Sequence, residues 1–411
     1  MSAATRESAP EPVVEAIAGG VTSPLGFRAA GVACGIKRDG LDLALVVSDR
    51  PASAAGVFTT NRVQAAPVTR ARANLQHSGG RAQAVVINSG CANACTGDAG
   101  DEAARLMVDR TAEAVGCSPD HVLVASTGVI GVPLDTARVA AGILKAVAAL
   151  GSRHVDAARA IMTTDRGPKE AAARIVLPQG TIRVGGMAKG AGMIEPRLAT
   201  MLAVVTTDAE VPPALLHRAL VEAVRDTFNA ITVDGECSTN DSVFALASGA
   251  SGVRIDEESI PLLTRGLRHV CRVLATKIVR DGEGATKLVT VTVTGAASDE
   301  EARRTARAIG NSLLVKTAIH GGDPNWGRLL AVAGRSDVAF DPSRAVVKIG
   351  PAVLYADGRP HNEREQEAAH HLEGQEVSVS VDLGTGGAAA ATMWTCDLTA
   401  EYVRINADYR T

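Results

Sequence analysis

The sequence predicts a mixed α/β (α+β) fold whose strands pair mainly in antiparallel fashion. Three observations carry that prediction. Short apolar, β-branched runs are separated by Gly and turn residues; amphipathic helical stripes lie between some of them; and hairpin spacing recurs more often than regular βαβ units. With 411 residues the chain can hold two or three domains, each large enough to bury a core. Hydrophobic residues are 46% and charged residues 21%, an ordinary globular balance. Aromatics are only 2%, so the core has to be built from Ala, Val, Leu and Ile.

Taken in order, the first dozen residues, with Pro10 and Pro12, read as a loose arm. Strands are predicted over 27–36, 41–47, 54–60 and 82–88, the last running into a Gly/Asn/Cys loop. A helix over 101–115 precedes a strand at 121–126, and alanine-rich helices follow at 134–150 and 155–162. The runs 174–178 and 181–186 read as a hairpin, followed by a Gly-rich loop over 185–193 and a buried strand starting at Thr200. A helix covers 215–228. Leu263, Leu267, Val270, Cys271, Leu274 and Ile278 follow the stripe of a long amphipathic helix. The alternating run 288–295 is a strand, and Ser298 with Glu301 has the spacing of a capping box. Strands at 345–350, 376–383 and 388–395 and a short helix over 399–404 complete the chain. The domain boundary is placed near 286, giving units 1–285 and 286–411.

Composition excludes several classes of function. A formal net charge of -3 with no Lys/Arg run, and few aromatics to stack bases, argue against nucleic acid as a partner. Seven scattered cysteines fit a reducing compartment better than a disulfide framework, and Cys91 and Cys95 lack a second pair to complete a metal site. No metal and no organic cofactor are expected. The N-terminus lacks the basic start and apolar core of a signal peptide, and no apolar run reaches the roughly 18 residues of a membrane span. A cytoplasmic enzyme acting on small molecules is the expectation.

The Gly-rich stretch 185–192 contains Lys189, but Gly190 stands where a phosphate loop needs Ser or Thr, and a strand follows where such a loop needs a helix. A lone threonine entering a strand, such as Thr200, is ordinarily a packing residue. Its surroundings change that. The 25 residues GGMAKGAGMIEPRLATMLAVVTTDA (185–209) resemble the cleavage region of the ornithine acetyltransferase (glutamate N-acetyltransferase) family. The resemblance extends, in order, to NSGCANACTG (88–97), STGVIG (126–131), IMTTDRGPK (161–169), DGECSTND (234–241), EGATK (283–287) and HGGDPNWGR (320–328).

The resemblance implies an α-β-β-α sandwich with a smaller C-terminal domain that lends tail residues to the site. It implies self-cleavage between Ala199 and Thr200, leaving chains of 199 and 212 residues that stay associated as a 2+2 heterotetramer. Thr200 becomes the nucleophile, and its freed α-amine, with a typical pKa of about 7.7–8, can serve as its base. The oxyanion hole maps onto the Thr127 hydroxyl and the Gly128 N–H. Substrate binding maps onto Thr163, Lys189, Thr200, Glu283, Asn406 and Thr411. In residue terms, Lys189 suits a substrate carboxylate and Glu283 a side-chain ammonium.

The implied reaction moves acetyl from N-acetylornithine to glutamate through acetyl-Thr200, in arginine biosynthesis. Whether acetyl-CoA also serves as donor is left open. The alternatives are a paralogous acetyltransferase of secondary metabolism and a self-cleaving N-terminal-nucleophile hydrolase. The sequence around Glu283 disfavours the hydrolase.

Overall fold

The protein is described by a computed structural model, which covers residues 14–195 and 201–408. The predicted N-terminal arm, Ala199, Thr200 and Thr411 lie outside the described residues.

The larger part carries strands β1 (Val14–Ile17), β2 (Phe27–Val32), β3 (Leu43–Phe58), β4 (Arg81–Cys91), β5 (Val122–Val129), β6 (Lys169–Leu177), β7 (Gly180–Lys189), β8 (Leu202–Thr207) and β9 (Ser242–Ala247). Its helices are α1 (Ala66–His77), α2 (Gly97–Val115), α3 (Thr136–Ala148), α4 (His154–Ala160), α5 (Pro213–Arg225) and α6 (Ile260–Arg280). The strands run in the order β1-β6-β7-β8-β9-β3-β4-β5, with β2 added to β3. The first part of β3 pairs with β2 and β4, its last part with β9, and its register with β4 breaks between Val47 and Ala52. That break is where one ribbon turns into two facing leaves.

Alternation of side chains then assigns four layers. Ala203 and Val205 of β8, with Val243 and Ala245 of β9, share a core with Leu216, Leu220, Leu263 and Leu274 of α5 and α6. The intervening Val204, Phe244 and Leu246 share a second core with Leu45 and Val86 of the other leaf and with Met107 and Ile143 of α2 and α3. The order is α-β-β-α. Strands in the middle are buried on both faces, which is why 202–205 reads as an unbroken apolar run rather than an alternating one. The six predicted stripe residues of α6 are all buried, each burial contributing about 1.5–3 kcal/mol.

The remaining strands are β10 (Leu288–Ala296), β11 (Val346–Ile349), β12 (Ala352–Ala356), β13 (Arg359–Pro360), β14 (Glu376–Asp382) and β15 (Ala389–Cys396), in the order β13-β12-β11-β14-β10-β15. With α7 (Asp299–Gly310), α8 (Leu313–Gly321), α9 (Trp326–Gly334) and α10 (Glu365–Leu372) they enclose a third core containing Val291, Ile309, Val347 and Val379. The predicted cap is half formed: Ser298 Oγ accepts the Glu301 N–H at 3.3 Å, but Glu301 Oε2 has no partner among the described residues. Two of the recognised motifs meet where this sheet joins the sandwich. The buried Asp397 carboxylate accepts from the amides of Thr286 and Lys287 and from His320 Nδ1 at 2.8, 2.9 and 2.9 Å. The last helix, α11 (Ala400–Asp408), returns to the loop after α6.

Antiparallel pairing prevails among the described strands; β4–β5, β8–β9 and β10–β14 are the parallel pairs. Two expectations are corrected. The separate strands at 41–47 and 54–60 are one continuous strand, β3, because Pro51 falls at the register break and leaves the ladder intact on either side. The Gly-rich loop begins five residues too early in the sequence reading. Residues 185–189 are buried strand, paired with both β6 and β8. Gly185 is required there by close packing, not by flexibility: a Cβ would lie 2.1 Å from the carbonyl oxygen of Gly20.

Candidate active site

One cavity is lined by Thr127, Gly128, Thr163, Lys189, Glu283 and Asn406, together with Met201, Asp234 and Asp241. Its residues come from the C-terminal ends of β5 and β7, the loop after α4, the start of β8, the loop after α6, and α11.

Thr127 and Gly128 sit at the end of β5, where pairing with β4 becomes irregular at Gly90 and Cys91. Gly128 has φ +130°, and a Cβ on it would lie 2.3 Å from Gly90 C and 2.5 Å from Cys91 N. Only glycine fits both the angle and the approach. The turn is held from below by the other motifs. Asn240 Nδ2 donates to the Ser126 and Ala92 carbonyls, Ser126 Oγ donates to Asn88 Oδ1 at 2.5 Å, and Asn88 Nδ2 donates to Cys91 O at 2.9 Å. These buried polar groups satisfy one another and so fix the turn.

Lys189 closes β7 opposite Leu202. Its Nζ donates to Thr163 Oγ1 at 2.7 Å and to Thr127 Oγ1 at 3.3 Å, and Asp165 Oδ2 is 4.0 Å away. Because the ammonium can only donate, it takes lone pairs of both hydroxyls and leaves their hydrogens free to point elsewhere. Burial lowers the Lys189 pKa, with Asp165 pulling the other way.

Asp165 organises this wall. It accepts from the amides of Thr163 and Gly190 at 2.9 and 2.7 Å and from Lys169 Nζ at 2.6 Å. Burial alone would raise its pKa, but Lys189 and Lys169 outweigh that and hold it at about 2. Also in the lining, Glu283 Oε2 accepts from Asn406 Nδ2 at 2.7 Å, which brings the tail helix to the cavity. Asp234 fixes the segment between, accepting the amides of Met193 and Ile194 at 2.6 and 2.8 Å and the Tyr402 hydroxyl at 3.3 Å. Met193 is held there at φ +54°, a strained angle for a side chain of its type.

Six of the nine residues singled out from sequence thus share one cavity: Thr127, Gly128, Thr163, Lys189, Glu283 and Asn406. Ala199, Thr200 and Thr411 fall outside the described residues. Sequence reasoning passed over Asp165, Asp234 and Asp241, although all three stand inside motifs it had quoted. A carboxylate in a short motif rich in Gly and Thr was the available signal.

The sequence matches the ArgJ family over residues 28–411. It is 50% identical to the arginine biosynthesis bifunctional protein ArgJ of Symbiobacterium thermophilum, across 97% of this chain and all of that protein. The chain belongs to the ArgJ family. The corresponding ArgJ protein of Gloeobacter violaceus is 48% identical, across 97% of this chain and 99% of its own length. A solved ornithine acetyltransferase of Mycobacterium tuberculosis, complexed with ornithine, is 44% identical; the match spans 46% of this chain and 100% of that one, with a TM-score of 0.43. Family membership covers every motif assembled in the cavity, the first of them starting at Asn88.

Proposed function

We propose that this ArgJ-family acyltransferase of arginine biosynthesis cleaves itself before Thr200 and carries acetyl on that threonine from N-acetylornithine to glutamate. What supports the reading most is the gathering of Thr127, Gly128, Lys189 and Glu283 around one cavity whose wall runs on to Met201, the residue after Thr200. The Thr200 hydroxyl attacks the acetyl carbon of the donor. The resulting oxyanion is met by the Gly128 N–H and by the Thr127 hydroxyl, whose hydrogen is left free by the bond from Lys189. Collapse releases ornithine, and glutamate then takes the acetyl group by the reverse steps.

Glu283 is the proposed partner of the ornithine side-chain ammonium, with Asn406 holding its carboxylate in place. Lys189 and Thr163 are proposed to receive the substrate carboxylate, and Thr411 to complete the site from the tail. The freed α-amine of Thr200 is the proposed base for acetyl transfer. No metal or organic cofactor enters this scheme, and acetyl-CoA is proposed as a second donor. Residues 1–285 form the proposed catalytic unit and 286–411 the smaller one, in a cytoplasmic 2+2 heterotetramer.

The direct test is a denaturing gel with N-terminal sequencing. Wild-type protein should give two bands, the second beginning at Thr200, and Thr200→Ala a single uncut band. A wild-type chain that stays whole through long incubation sinks the proposal.

A further inference from the structure

A second cavity, of about 520 Å³, shares no lining residue with the candidate active site. Asp165 stands between the two: its Oδ1 accepts from Lys169 Nζ, in the second lining, at 2.6 Å, and its Oδ2 is 4.0 Å from Lys189 Nζ, in the first. Two of the recognised motifs divide between the cavities. Within 161–169, Thr163 lines the first, and Arg166 and Lys169 line the second; within 283–287, Glu283 lines the first and Lys287 the second. Acetyl transfer leaves the latter half of each motif without a role.

The charge of this lining is one-sided. Among the described residues that line it, Arg166, Lys169, Lys277, Arg280 and Lys287 are cations and Asp281 alone is a carboxylate. The chain as a whole has a formal net charge of -3, so general basicity does not explain the gathering. The last turn of a helix favours cations, which accounts for Lys277 and Arg280 at the end of α6. The other three come from outside that helix: Arg166 from the loop after α4, Lys169 from the start of β6 and Lys287 from the loop before β10.

Two of the five cations are already engaged. Lys169 is buried and pairs with Asp165 and Asp281, and Lys287 donates to the Ile319 and Leu372 carbonyls, near the C-terminal ends of α8 and α10. The other three retain unengaged donors. Arg166 directs Nε to Asp281 and Nη2 to the Arg280 and Ala285 carbonyls, while Nη1 has no partner among the described residues. Arg280 uses only Nη2, on Glu376. Lys277 Nζ makes one bond of a possible three, to the Glu170 carbonyl at 2.7 Å.

We propose that this cavity binds a diphosphate group, held by the Arg166 and Arg280 guanidiniums and the Lys277 ammonium. Guanidinium forks match phosphate oxygens in pairs, and an ammonium adds a compact charge. A carboxylate would balance one of these cations. A diphosphate carries several charges and presents oxygens on two centres, which suits donors spread over three side chains. Two sources carry that chemistry, free inorganic pyrophosphate and the diphosphate of a nucleotide. None of the three donors has a part in self-cleavage or acetyl transfer.

The test is isothermal titration of the full-length protein with inorganic pyrophosphate and, separately, with ADP, in about 0.1 M salt. Wild type should bind at least one of them with Kd below about 1 mM. In Lys277→Gln/Arg280→Gln that binding should weaken at least about tenfold. Both side chains are exposed, so Tm without ligand should barely move. Lys169 is left in place because it also balances Asp165, which holds the Thr163 and Gly190 amides. A control with equal loss of charge, Arg105→Gln/Arg110→Gln on α2, should bind like wild type. Tighter binding of ADP than of pyrophosphate makes the nucleotide the source; equal affinities make it the free diphosphate. The proposal is overturned if neither probe binds with Kd below about 1 mM, or if Lys277→Gln/Arg280→Gln binds within about threefold of wild type. It is equally overturned if the control on α2 weakens binding as much.

Discussion

Replacing Asp165 by Asn changes one charge and almost no volume, and the structure allows its effect to be worked out. The carboxylate lies between two ammonium groups, Lys169 Nζ at 2.6 Å and Lys189 Nζ at 4.0 Å, and accepts two backbone amides besides. Its pKa, about 2 against an ordinary 3.8, means about 2 kcal/mol of stability at neutral pH from this one ionisation. The substitution does more than remove that amount. Lys169 keeps Asp281 as its one carboxylate partner, and no carboxylate remains within 4 Å of Lys189, among the described residues. Breaking a buried pair from one side typically costs about 3–5 kcal/mol, so Asp165→Asn should fall in that range. Because the folded pKa is depressed, the contribution is whole above pH of about 4 and is lost as pH falls through about 2. Urea titrations of the two proteins at pH 7 should therefore differ by about 3–5 kcal/mol, and the gap should narrow by about 2 kcal/mol on acidification to pH 2. Adding Lys169→Met to the variant should recover part of the loss, since it removes one stranded charge. A variant within about 1 kcal/mol of wild type at pH 7, or a gap indifferent to acid, would show that Asp165 does not neutralise this wall.

Three further outcomes are expected. Gly128→Ala should lower kcat for acetyl transfer by about 100-fold or more, because its Cβ would meet the Gly90–Cys91 backbone and displace the N–H proposed as an oxyanion donor; steady-state assays with acetylornithine and glutamate check this. Glu283→Ala should lower kcat/KM for acetylornithine by an amount worth about 2–5 kcal/mol, mainly through KM, while gels show cleavage unaltered. Co-expressing residues 1–199 with a chain beginning Met-Thr200, whose methionine is removed, should give an active enzyme without cleavage. Retaining Ala199 as an uncleavable extension on Thr200 should abolish transfer in the same assembly if the α-amine is the base, and brisk turnover there would shift the role to Lys189.

How far the site was legible in the sequence depended on which physical rule fixed each residue. Periodicity located α6 to within three residues at either end, because six buried positions on one helical face leave a signal that no loop imitates. It merged poorly with β3, where a proline in a turn-like sequence marks a change of partner and not the end of a strand. It also misread 185–189, since glycine in a strand looks like a loop until the opposing Gly20 carbonyl is in view. Thr127, Gly128, Lys189 and Glu283 were found through resemblance, and spacing alone would not have joined residues more than 150 positions apart. The missed aspartates show the reverse limit. Asp165 and Asp234 each accept two or more backbone amides, a function that any short polar motif could serve and that only geometry reveals. Asp241 differs from both in keeping one oxygen unpaired. Asp165 and Asp397 are satisfied by backbone amides and by lysine or histidine, whereas the buried Asp241 Oδ2, beside Met201, has no hydrogen-bond partner among the described residues.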